Sequence, residues 1–497
     1  MFDLKNVDIC VSTRYLIRNL NLTLNKGDKC AIIGEEGNGK STILKCILGQ
    51  ADYAIISGFI DLKGLRVGYL EQSLSDKDKR VFDFLFLDNV DYYNKLNGFY
   101  KLIGNFNIKE DLLKQNMNTL SGGELVKIAI LKILLDDPDI LFLDEPTNDL
   151  DIAALEWLGE FINSIDKPIL YVSHDETLLS KTANMILHIE QLKKKTECKH
   201  TLVRCGYDEY VAKRLRKIEA MTQIAKNERR EQEKKKERLN RIMNTVEQDQ
   251  RNISRKDPHG ARVLKKKMKT LKVQEKRINT SELSELPDPE ENINFFFCDV
   301  NIPKNKEILR LKMEKLEVPF KVLAKNIELD VIGPKHITII GENGVGKTTL
   351  LKEIIKVLES RKDIKVGIMP QDYNSYLTNY KTPLEFVAST DINDITEARK
   401  YLGNMKFTRE EMCGDIRNLS NGEIAKLFIT KLVKDKCDVL VLDEPTRNVS
   451  PLSNPVIRNE LKNFKGTIIS VSHDRKFIEE VSTDIYELTV AGLRKVE

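Results

Sequence analysis

The chain has 497 residues, of which 41% are apolar, and its formal net charge is +4. This length suits about three domains of ~150 residues, and no apolar run reaches the ~18–20 residues of a membrane helix. Met1–Asn21 lacks the apolar run and cleavage site of a signal peptide. Eight scattered cysteines without a C-x-x-C pair argue against a disulfide framework or a zinc site, so we expect a soluble protein of the cytoplasm.

The sequence contains one long internal repeat. Four residues return 299 positions later: Gln72, Ser121, Asp144 and His174 recur as Gln371, Ser420, Asp443 and His473. Two lysines in glycine-rich loops, Lys40 and Lys347, are separated by 307 positions. We therefore predict a first domain at 1–206, an insert at 207–289 and a second domain at 290–497.

Short apolar runs in each copy end in polar motifs. In the first copy, Ala31–Ile33 leads into a glycine-rich loop, Ile140–Leu143 ends in Asp-Glu, and Ile169–Val172 ends in Ser-His-Asp. Apolar runs of this length between turn residues are typical of buried strands in a largely parallel sheet. We predict an α/β fold with the functional residues at the carboxyl ends of strands.

Both glycine-rich loops, Gly34–Ser41 and Gly341–Thr348, fit the pattern G-x-x-x-x-G-K-[ST]. Glycines let the backbone wrap so that its N–H groups point at phosphate oxygens, and the helix that follows adds its positive end. The lysine reaches the outer phosphates, and Ser41 or Thr348 is suited to Mg²⁺. A glycine-rich turn before a helix is the structural alternative for one match, but two matches behind apolar strands favour phosphate binding.

An Asp-Glu pair follows an apolar run in each copy. Asp144 and Asp443 are placed to hold Mg²⁺, directly or through water, and the glutamates that follow, Glu145 and Glu444, are placed to polarise an attacking water. The alternative, for a single copy, is a buried strand that ends in solvated acids.

The motif Leu120-Ser-Gly-Gly-Glu124, 23 residues before Asp144, resembles the signature of the ATP-binding-cassette superfamily. The resemblance covers nearly all of both copies. It implies that the signature of one domain closes over the phosphate loop of the other, so that each ATP lies between two domains. It also implies that Gln72 and Gln371 sense metal and water, and that His174 and His473 lie near the γ-phosphate.

By this resemblance the chain has two composite ATP sites that use Mg²⁺. The expected catalytic residues are Glu145, Glu444, His174, His473, Gln72 and Gln371, and the expected metal ligands are Ser41, Thr348, Asp144, Asp443, Gln72 and Gln371. The expected ATP-binding residues are Gly34, Gly37, Asn38, Gly39, Lys40, Ser41, Thr42, Gly341, Asn343, Gly344, Gly346, Lys347, Thr348, Thr349, Ser121, Gly122, Gly123, Ser420, Asn421 and Gly422.

The two copies differ at residues that the resemblance assigns to the first composite site. Asn421 replaces a glycine of the signature, and because asparagine tolerates a positive φ better than most residues, we expect the backbone contacts of the motif to survive. Ser450 stands where the first copy has Asp151. We therefore expect the first site, which contains Glu145, to hydrolyse ATP more slowly than the second site.

The insert is strongly basic. From Lys213 to Arg277 it has 23 Lys or Arg and 9 Asp or Glu, a net of +14, which indicates a polyanionic partner. Apolar residues at helical spacing predict two paired helices, the first from Tyr207 to about Val246 and so roughly 60 Å long. The predicted seam comprises Val211, Leu215, Ile218, Thr222, Ala225, Leu239, Met243 and Val246, and on the second helix Leu264, Met268, Leu271 and Ile278.

The residues around the predicted hairpin tip suit RNA. Asp257-Pro-His-Gly260 predicts a turn between the two helices. The candidate RNA-binding residues are Arg251, Arg255, Lys256, His259 and Arg262. The alternative is a solvated charged linker without a ligand.

Tandem cassettes with a basic helical insert and no membrane domain resemble the ABC-F family over essentially the whole chain. Members bind the 70S ribosome at the exit-tRNA site, and their linker approaches the peptidyl-transferase centre. That resemblance implies contacts with 23S rRNA and P-site tRNA, and a monomer that pairs its own cassettes. The runs Glu444–Ser453 and Ser254–Gly260 look like the branch that protects ribosomes from antibiotics.

Two other functions stay open at this point. One is a housekeeping ABC-F translation factor. The other is the energy-coupling ATPase of a membrane importer with two fused cassettes, which the long basic insert disfavours.

Overall fold

The computed structural model of the chain describes residues 2–62, 64–72, 78–86, 92–106, 108–148, 150–192, 195–252, 258–280, 295–297, 300, 302–319, 321–388 and 391–496. The chain folds into two compact units. Unit 1 comprises Met1–Tyr210 and Asn292–Glu497, and unit 2 comprises Val211–Glu291. Both copies of the repeat therefore lie in unit 1, and the basic insert forms unit 2.

The first copy consists of two sheets and the helices that cover them. In chain order its elements are β1 (Phe2–Val11), β2 (Arg14–Leu24), β3 (Lys29–Gly34), α1 (Lys40–Ile47), β4 (Ala54–Asp61), β5 (Val67–Leu70), α2 (Val81–Phe86), α3 (Tyr92–Phe106), α4 (Gly122–Leu135), β6 (Ile140–Asp144), α5 (Ile152–Ser164), β7 (Ile169–Val172), α6 (Glu176–Thr182), β8 (Met185–Leu192) and β9 (Glu197–Val203). The strand order is β2-β1-β4 in the antiparallel sheet and β5-β6-β7-β3-β8-β9 in the larger sheet. The larger sheet is parallel except for the β8–β9 pair.

Unit 2 is built from two helices, α7 (Tyr207–Asn252, whose first residues belong to unit 1) and α8 (Pro258–Thr280). With 46 residues, α7 is about 70 Å long at about 1.5 Å per residue. Their shared apolar seam contains the buried residues Leu239, Val246, Met268 and Leu271, with Met243, Leu264 and Ile278 partly buried beside them. These seven positions agree with the spacing of the sequence.

The predicted seam is wrong at its amino-terminal end, where the side chain of Leu215 is 55% exposed. In the antiparallel pair, Gln232 Nε2 donates a hydrogen bond of 2.7 Å to the carbonyl oxygen of Ile278, next to the end of α8. The described residues of α8 therefore do not reach Leu215, which lies almost five helical turns before Gln232.

The sequence predicts a turn at Asp257–Gly260, and the structure describes three of these four residues. For these three the prediction is wrong. Pro258, His259 and Gly260 form the first turn of α8. Proline suits this position because the first N–H groups of a helix have no intrahelical partner. Asp257, Arg255 and Lys256 lie outside the described residues.

The second copy repeats the first. Its elements are β10 (Glu307–Val318), β11 (Lys321–Ile332), β12 (His336–Ile340), α9 (Lys347–Glu359), β13 (Val366–Met369), α10 (Asn374–Leu377), α11 (Pro383–Val387), α12 (Ile392–Asn404), α13 (Arg409–Cys413), α14 (Asn421–Asp435), β14 (Val439–Asp443), α15 (Asn454–Lys462), β15 (Thr467–Val471), α16 (Arg475–Val481), β16 (Asp484–Thr489) and β17 (Gly492–Val496). The large sheet has the order β13-β14-β15-β12-β16-β17, and β10 and β11 form a hairpin. Strand for strand, the large sheet has the order of its counterpart in the first copy, whereas the antiparallel sheet has two described strands instead of three.

The large sheets explain why the polar motifs come together. Every residue of β6 and β14 is buried, including the aspartate at each carboxyl end. Strand β7 lies between β6 and β3, and β15 lies between β14 and β12. Because these strands are parallel, their carboxyl ends meet at one edge of each sheet. The predicted α/β fold is confirmed, and the two aspartates that the sequence singled out lie at the carboxyl ends of β6 and β14. None of the described helices has both the length and the apolar character needed to cross a bilayer.

Candidate functional site

The first glycine-rich loop connects β3 to α1 and encloses the side chain of Lys40. Lys40 Nζ donates hydrogen bonds to the carbonyl oxygens of Gly34 (2.9 Å) and Glu35 (3.1 Å). Gly39, just before the helix, has a φ of 80°, and a Cβ there would lie 2.8 Å from a methyl group of Leu16. Only glycine fits at this position, and its positive φ lets the loop backbone wrap around the lysine side chain. The other predicted residues of this segment are Gly37, Asn38, Ser41 and Thr42.

The second loop, between β12 and α9, has the same geometry. Lys347 Nζ donates to the carbonyl oxygens of Gly341 and Glu342, each at 2.8 Å. Gly346 has a φ of 106°, and a Cβ there would lie 2.9 Å from Leu323. Each loop therefore places a buried lysine at the start of a helix, where backbone N–H groups and the helix dipole favour phosphate.

The first acidic pair lies at the end of β6, next to the first loop. Ser41 Oγ donates a hydrogen bond of 2.8 Å to Asp144 Oδ1, so two of the predicted metal ligands are in contact. Burial raises the pKa of Asp144 to about 6.

Glu145 is the centre of a hydrogen-bonded group that includes two more predicted residues. Gln72 Nε2 donates to Glu145 Oε2 at 2.8 Å, and Asn148 Nδ2 donates to the same oxygen at 2.9 Å. His174 Nε2 lies 3.2 Å from Glu145 Oε1. Burial opposes ionisation, but His174 and the hydrogen bond from Asn148 outweigh it and lower the pKa of Glu145 to about 2.

The second acidic pair has the same residue types with looser contacts. His473 donates its backbone N–H to Glu444 Oε2 at 3.2 Å, while its Nε2 lies 3.8 Å from Oε1. Gln371 accepts a hydrogen bond of 3.3 Å from Thr348 Oγ1. Burial, with a smaller contribution from Asp443, raises the pKa of Glu444 to about 7. Burial and the charge of the nearby lysine lower the pKa of His473 to about 4.

Each signature motif begins a helix with reciprocal capping. Ser121 accepts from the backbone N–H of Glu124, and Glu124 Oε2 accepts from the Ser121 N–H (2.9 Å) and hydroxyl (2.7 Å). Ser420 and Glu423 make the same contacts at the start of α14. The serines and the free N–H groups therefore lie at the positive ends of two helices.

Asn421 occupies its place in the signature without a positive φ. Asn421 is the first residue of α14 and is not among the described residues with positive φ. Gly422, the next residue, is the one that must lack a side chain. A Cβ there would lie 2.0 Å from Glu36 Cγ and 2.4 Å from the carbonyl oxygen of Asn448.

A cavity of about 700 Å³ lies between the second phosphate loop and the first signature. Its volume is within the usual range for small-molecule and cofactor sites. The predicted residues that line it are Asn343, Gly344, Gly346, Lys347, Thr348, Thr349, Gln371, Asp443, Glu444 and His473 from the second copy, and Ser121, Gly122 and His174 from the first. Gly123 is adjacent in the signature and packs against Ala154.

At the first phosphate loop the two copies are in direct contact. A Cβ on Gly37 would lie 2.5 Å from Glu423 Oε1. His174 Nδ1 lies 3.1 Å from the carbonyl oxygen of Val449 in the second copy. The signature of the second copy therefore packs on the loop of the first.

Three of the five candidate RNA-binding residues are described, and all three side chains are exposed: Arg251 at the end of α7, and His259 and Arg262 at the start of α8.

Sequence reasoning missed two residues near the acidic pairs. Asn148 donates to Glu145, and its counterpart 299 positions later, Arg447, lines the cavity. The repeat offset was the signal that could have identified both residues.

The chain is similar to known proteins over nearly all of its length. The profile of the ABC transporter family matches residues 17–148 and 324–447. YdiF of Bacillus subtilis, named as an ATP-binding protein, is 27% identical over 97% of this chain and 78% of its own length. A protein of Encephalitozoon cuniculi, named as a homolog of ATP-binding cassette sub-family F member 3, is 28% identical over 98% of this chain and 80% of its own.

Among solved structures, the archaeal ribosome recycling factor aABCE1, in complex with the stalk protein aP1, matches with a TM-score of 0.58 and 17% identity. The match covers 96% of this chain and 88% of that one. At 17% identity, this similarity is evidence of a shared fold alone.

Proposed function

Since this chain belongs to the ABC transporter family, as an ATPase of the tandem-cassette ABC-F type, we propose that it binds the ribosome and protects translation from antibiotics that act at the peptidyl-transferase centre. ATP binding would hold the cassettes closed with the protein at the exit-tRNA site, and hydrolysis would release it. The proposed functional division is 1–206, 207–289 and 290–497, in a cytoplasmic monomer that pairs its own cassettes.

The proposed ATP chemistry rests on the cavity that joins Lys347 to Ser121. Lys347 and the N–H groups of its loop would bind the phosphates, and the signature helix would contact the γ-phosphate from the opposite cassette. Glu444 would orient the attacking water, with Gln371 and His473 beside it. The equivalent residues of the first site are Lys40, Glu145, Gln72 and His174, with Ser420 and Gly422 opposite.

The residues at each site fit Mg²⁺ as part of an ATP complex. Asp443 Oδ1 is buried and has no hydrogen-bond partner among the described residues, as suits an oxygen that faces a cation. The described residues contain no cluster of three or more His, Cys, Asp or Glu side chains that would hold a metal unaided. Thr348, Asp443 and Gln371 would therefore share the ion with phosphate oxygens, as would Ser41, Asp144 and Gln72. When bound, Mg²⁺ would neutralise phosphate charge.

The proposed ribosome binding rests on the basic helical insert. Its net charge of +14 between Lys213 and Arg277 suits phosphates of folded RNA, and Arg251, His259 and Arg262 are exposed where α7 ends and α8 begins. The expected contacts are 23S rRNA near the peptidyl-transferase centre and P-site tRNA. Fold similarity to a ribosome recycling factor supports the proposal that this chain binds the ribosome.

A housekeeping role in translation would use the same site and insert, and drug-susceptibility tests with lincosamides, pleuromutilins and streptogramin A would separate it from protection. Energy coupling to a membrane importer has less support because the insert would have no evident use there.

The test uses the double variant Glu145→Gln, Glu444→Gln, which should bind ATP without turnover. It is sedimented with 70S ribosomes at a fixed salt concentration, with and without ATP, because phosphate contacts depend on salt. ATP-dependent co-sedimentation is expected. Absence of ribosome binding at moderate salt would exclude both translation roles.

A further inference from the structure

The first phosphate loop carries two adjacent acids, Glu35 and Glu36, whereas the second loop has Glu342 and Asn343 at the same places. In a loop that is built to receive phosphate, an additional carboxylate is unfavourable unless a cation compensates it. Glu36 is nonetheless 6% exposed. The groups around Glu36 must therefore compensate the charge of its buried carboxylate.

The compensating cation comes from the other cassette. Lys426 of α14 is 4% exposed, lies 2.7 Å from Glu35 Oε2 and forms a second ion pair with Glu36. Lys406 Nζ lies 3.7 Å from Glu35 Oε1. Although burial works against it, Lys426 and Lys406 hold the pKa of Glu35 well below its usual range.

Two further groups of the second cassette bind the same carboxylates. Ser450 donates its backbone N–H to Glu36 Oε1, and Ser453 Oγ donates a hydrogen bond of 2.8 Å to Glu35 Oε1. We call Glu35, Glu36, Lys426, Ser450 and Ser453 the first-interface cluster. The acids of one cassette are thus bound by an ammonium group, an amide and a hydroxyl of the other.

The differences between the two copies are complementary in this cluster: the extra acid of the first loop, Glu36, faces a segment of the second cassette that has serines at 450 and 453. The first copy has Asp151 and Ala154 at the positions of Ser450 and Ser453. An aspartate at position 450 would add a carboxylate beside Glu36, and an alanine at 453 would leave Glu35 without its hydroxyl partner. Serine at both positions suits the two glutamates.

At the second interface, the counterparts of Lys426 and Glu36 have other surroundings among the described residues. Lys127, the counterpart of Lys426, has its Nζ 5.0 Å from the centre of the Trp157 ring. Asn343, the counterpart of Glu36, lines the cavity of about 700 Å³ together with Ser121.

We infer that Glu36 is a positioning residue that holds the signature segment of the second cassette on the first phosphate loop through Lys426 and Ser450, without a nucleotide. ATP-dependent joining of the cassettes is then confined to the second composite site. Loss of Glu36 would leave the buried Ser450 N–H without its acceptor and Lys426 with Glu35 as its remaining carboxylate partner. An unpaired polar group in a buried site is costly, so the contact should weaken. This inference does not depend on ribosome binding.

Hydrogen exchange with mass spectrometry tests it on the full chain that carries Glu145→Gln and Glu444→Gln. In the absence of ATP, the segment around Ser450 should already be protected, and the segment around Asp151 should gain protection only when ATP is added. If the Ser450 segment also needed ATP for its protection, the inference would be wrong.

Substitution at Glu36 makes the test specific. Glu36→Asn, which copies the second loop, should speed exchange around Ser450 without ATP by at least about tenfold, and ATP should restore protection. Glu342→Gln in the second loop is the matched control and should leave this segment unchanged. Should Glu36→Asn fold poorly, Glu36→Ala, which removes the contacts with Lys426 and Ser450 but leaves Lys426 paired with Glu35, must show the same acceleration. Unchanged exchange in folded Glu36→Asn, or in Glu36→Ala, overturns the inference.

Discussion

Arg458 of the second cassette donates a hydrogen bond of 2.5 Å from Nη1 to Glu176 Oε1 of the first, and both side chains are buried. Glu176 begins α6, two residues after His174, and it also accepts from Lys476 Nζ at 3.0 Å. This contact therefore joins the histidine segment of the first cassette to helices α15 and α16 of the second.

We expect Arg458→Met to lower the free energy of unfolding of unit 1 by about 3–5 kcal/mol, because it leaves the Glu176 carboxylate buried with less compensation. Denaturant unfolding measures this loss. The matched control is Arg475→Met, which removes a cross-cassette pair with the half-exposed Glu156 and should cost about 1 kcal/mol or less. Equal losses in the two variants would contradict the account.

The two glutamates of the acidic pairs should contribute unequally to ATP turnover. Ser450 and Asn421 both lie on the first interface, so the site that contains Glu145 should be the slower one. Steady-state ATPase rates should fall by at least about tenfold more in Glu444→Gln than in Glu145→Gln. Nucleotide-binding measurements on both variants serve as the control for intact sites, and comparable rate losses would refute this ranking.

The exposed residues around the hairpin tip should affect ribosome binding through salt-dependent phosphate contacts. Arg251→Glu should weaken ATP-dependent co-sedimentation and reduce the slope of log affinity against log salt by about one. Lys114→Glu, an equal charge change at a residue of the first cassette whose side chain is 84% exposed, is the matched control. An unchanged slope in Arg251→Glu would remove that residue from the proposed RNA contact.

The sequence could predict the parts of the structure that depend on local backbone geometry. A glycine with positive φ before a helix, an aspartate at the end of a buried strand and a serine at a helix start each have a local signal. Gly39, Asp144 and Ser121 are found where these signals place them. The constant offset of 299 then predicted Asp443 and Ser420, and the second match to the glycine-rich pattern predicted Gly346.

Contacts between segments that are remote in sequence were not predictable in this way. Lys426 and Glu35 are 391 residues apart, and no local pattern indicates that they pair. The exposure of Leu215 depends on where α8 ends, which helical spacing alone does not define. Both features arise from packing between segments rather than from propensity within one.

If each ATP site is shared between the cassettes, the second site depends on Ser121 of the first cassette, and substitution of this residue is the sharpest test. Aspartate is a good helix cap, so Ser121→Asp should preserve α4 while it places a carboxylate opposite the phosphates bound by Lys347. In the Glu145→Gln background, where only the second site turns over, the account predicts that Ser121→Asp reduces ATPase activity to that of the Glu145→Gln, Glu444→Gln double variant. Activity equal to that of Glu145→Gln alone would contradict a shared site.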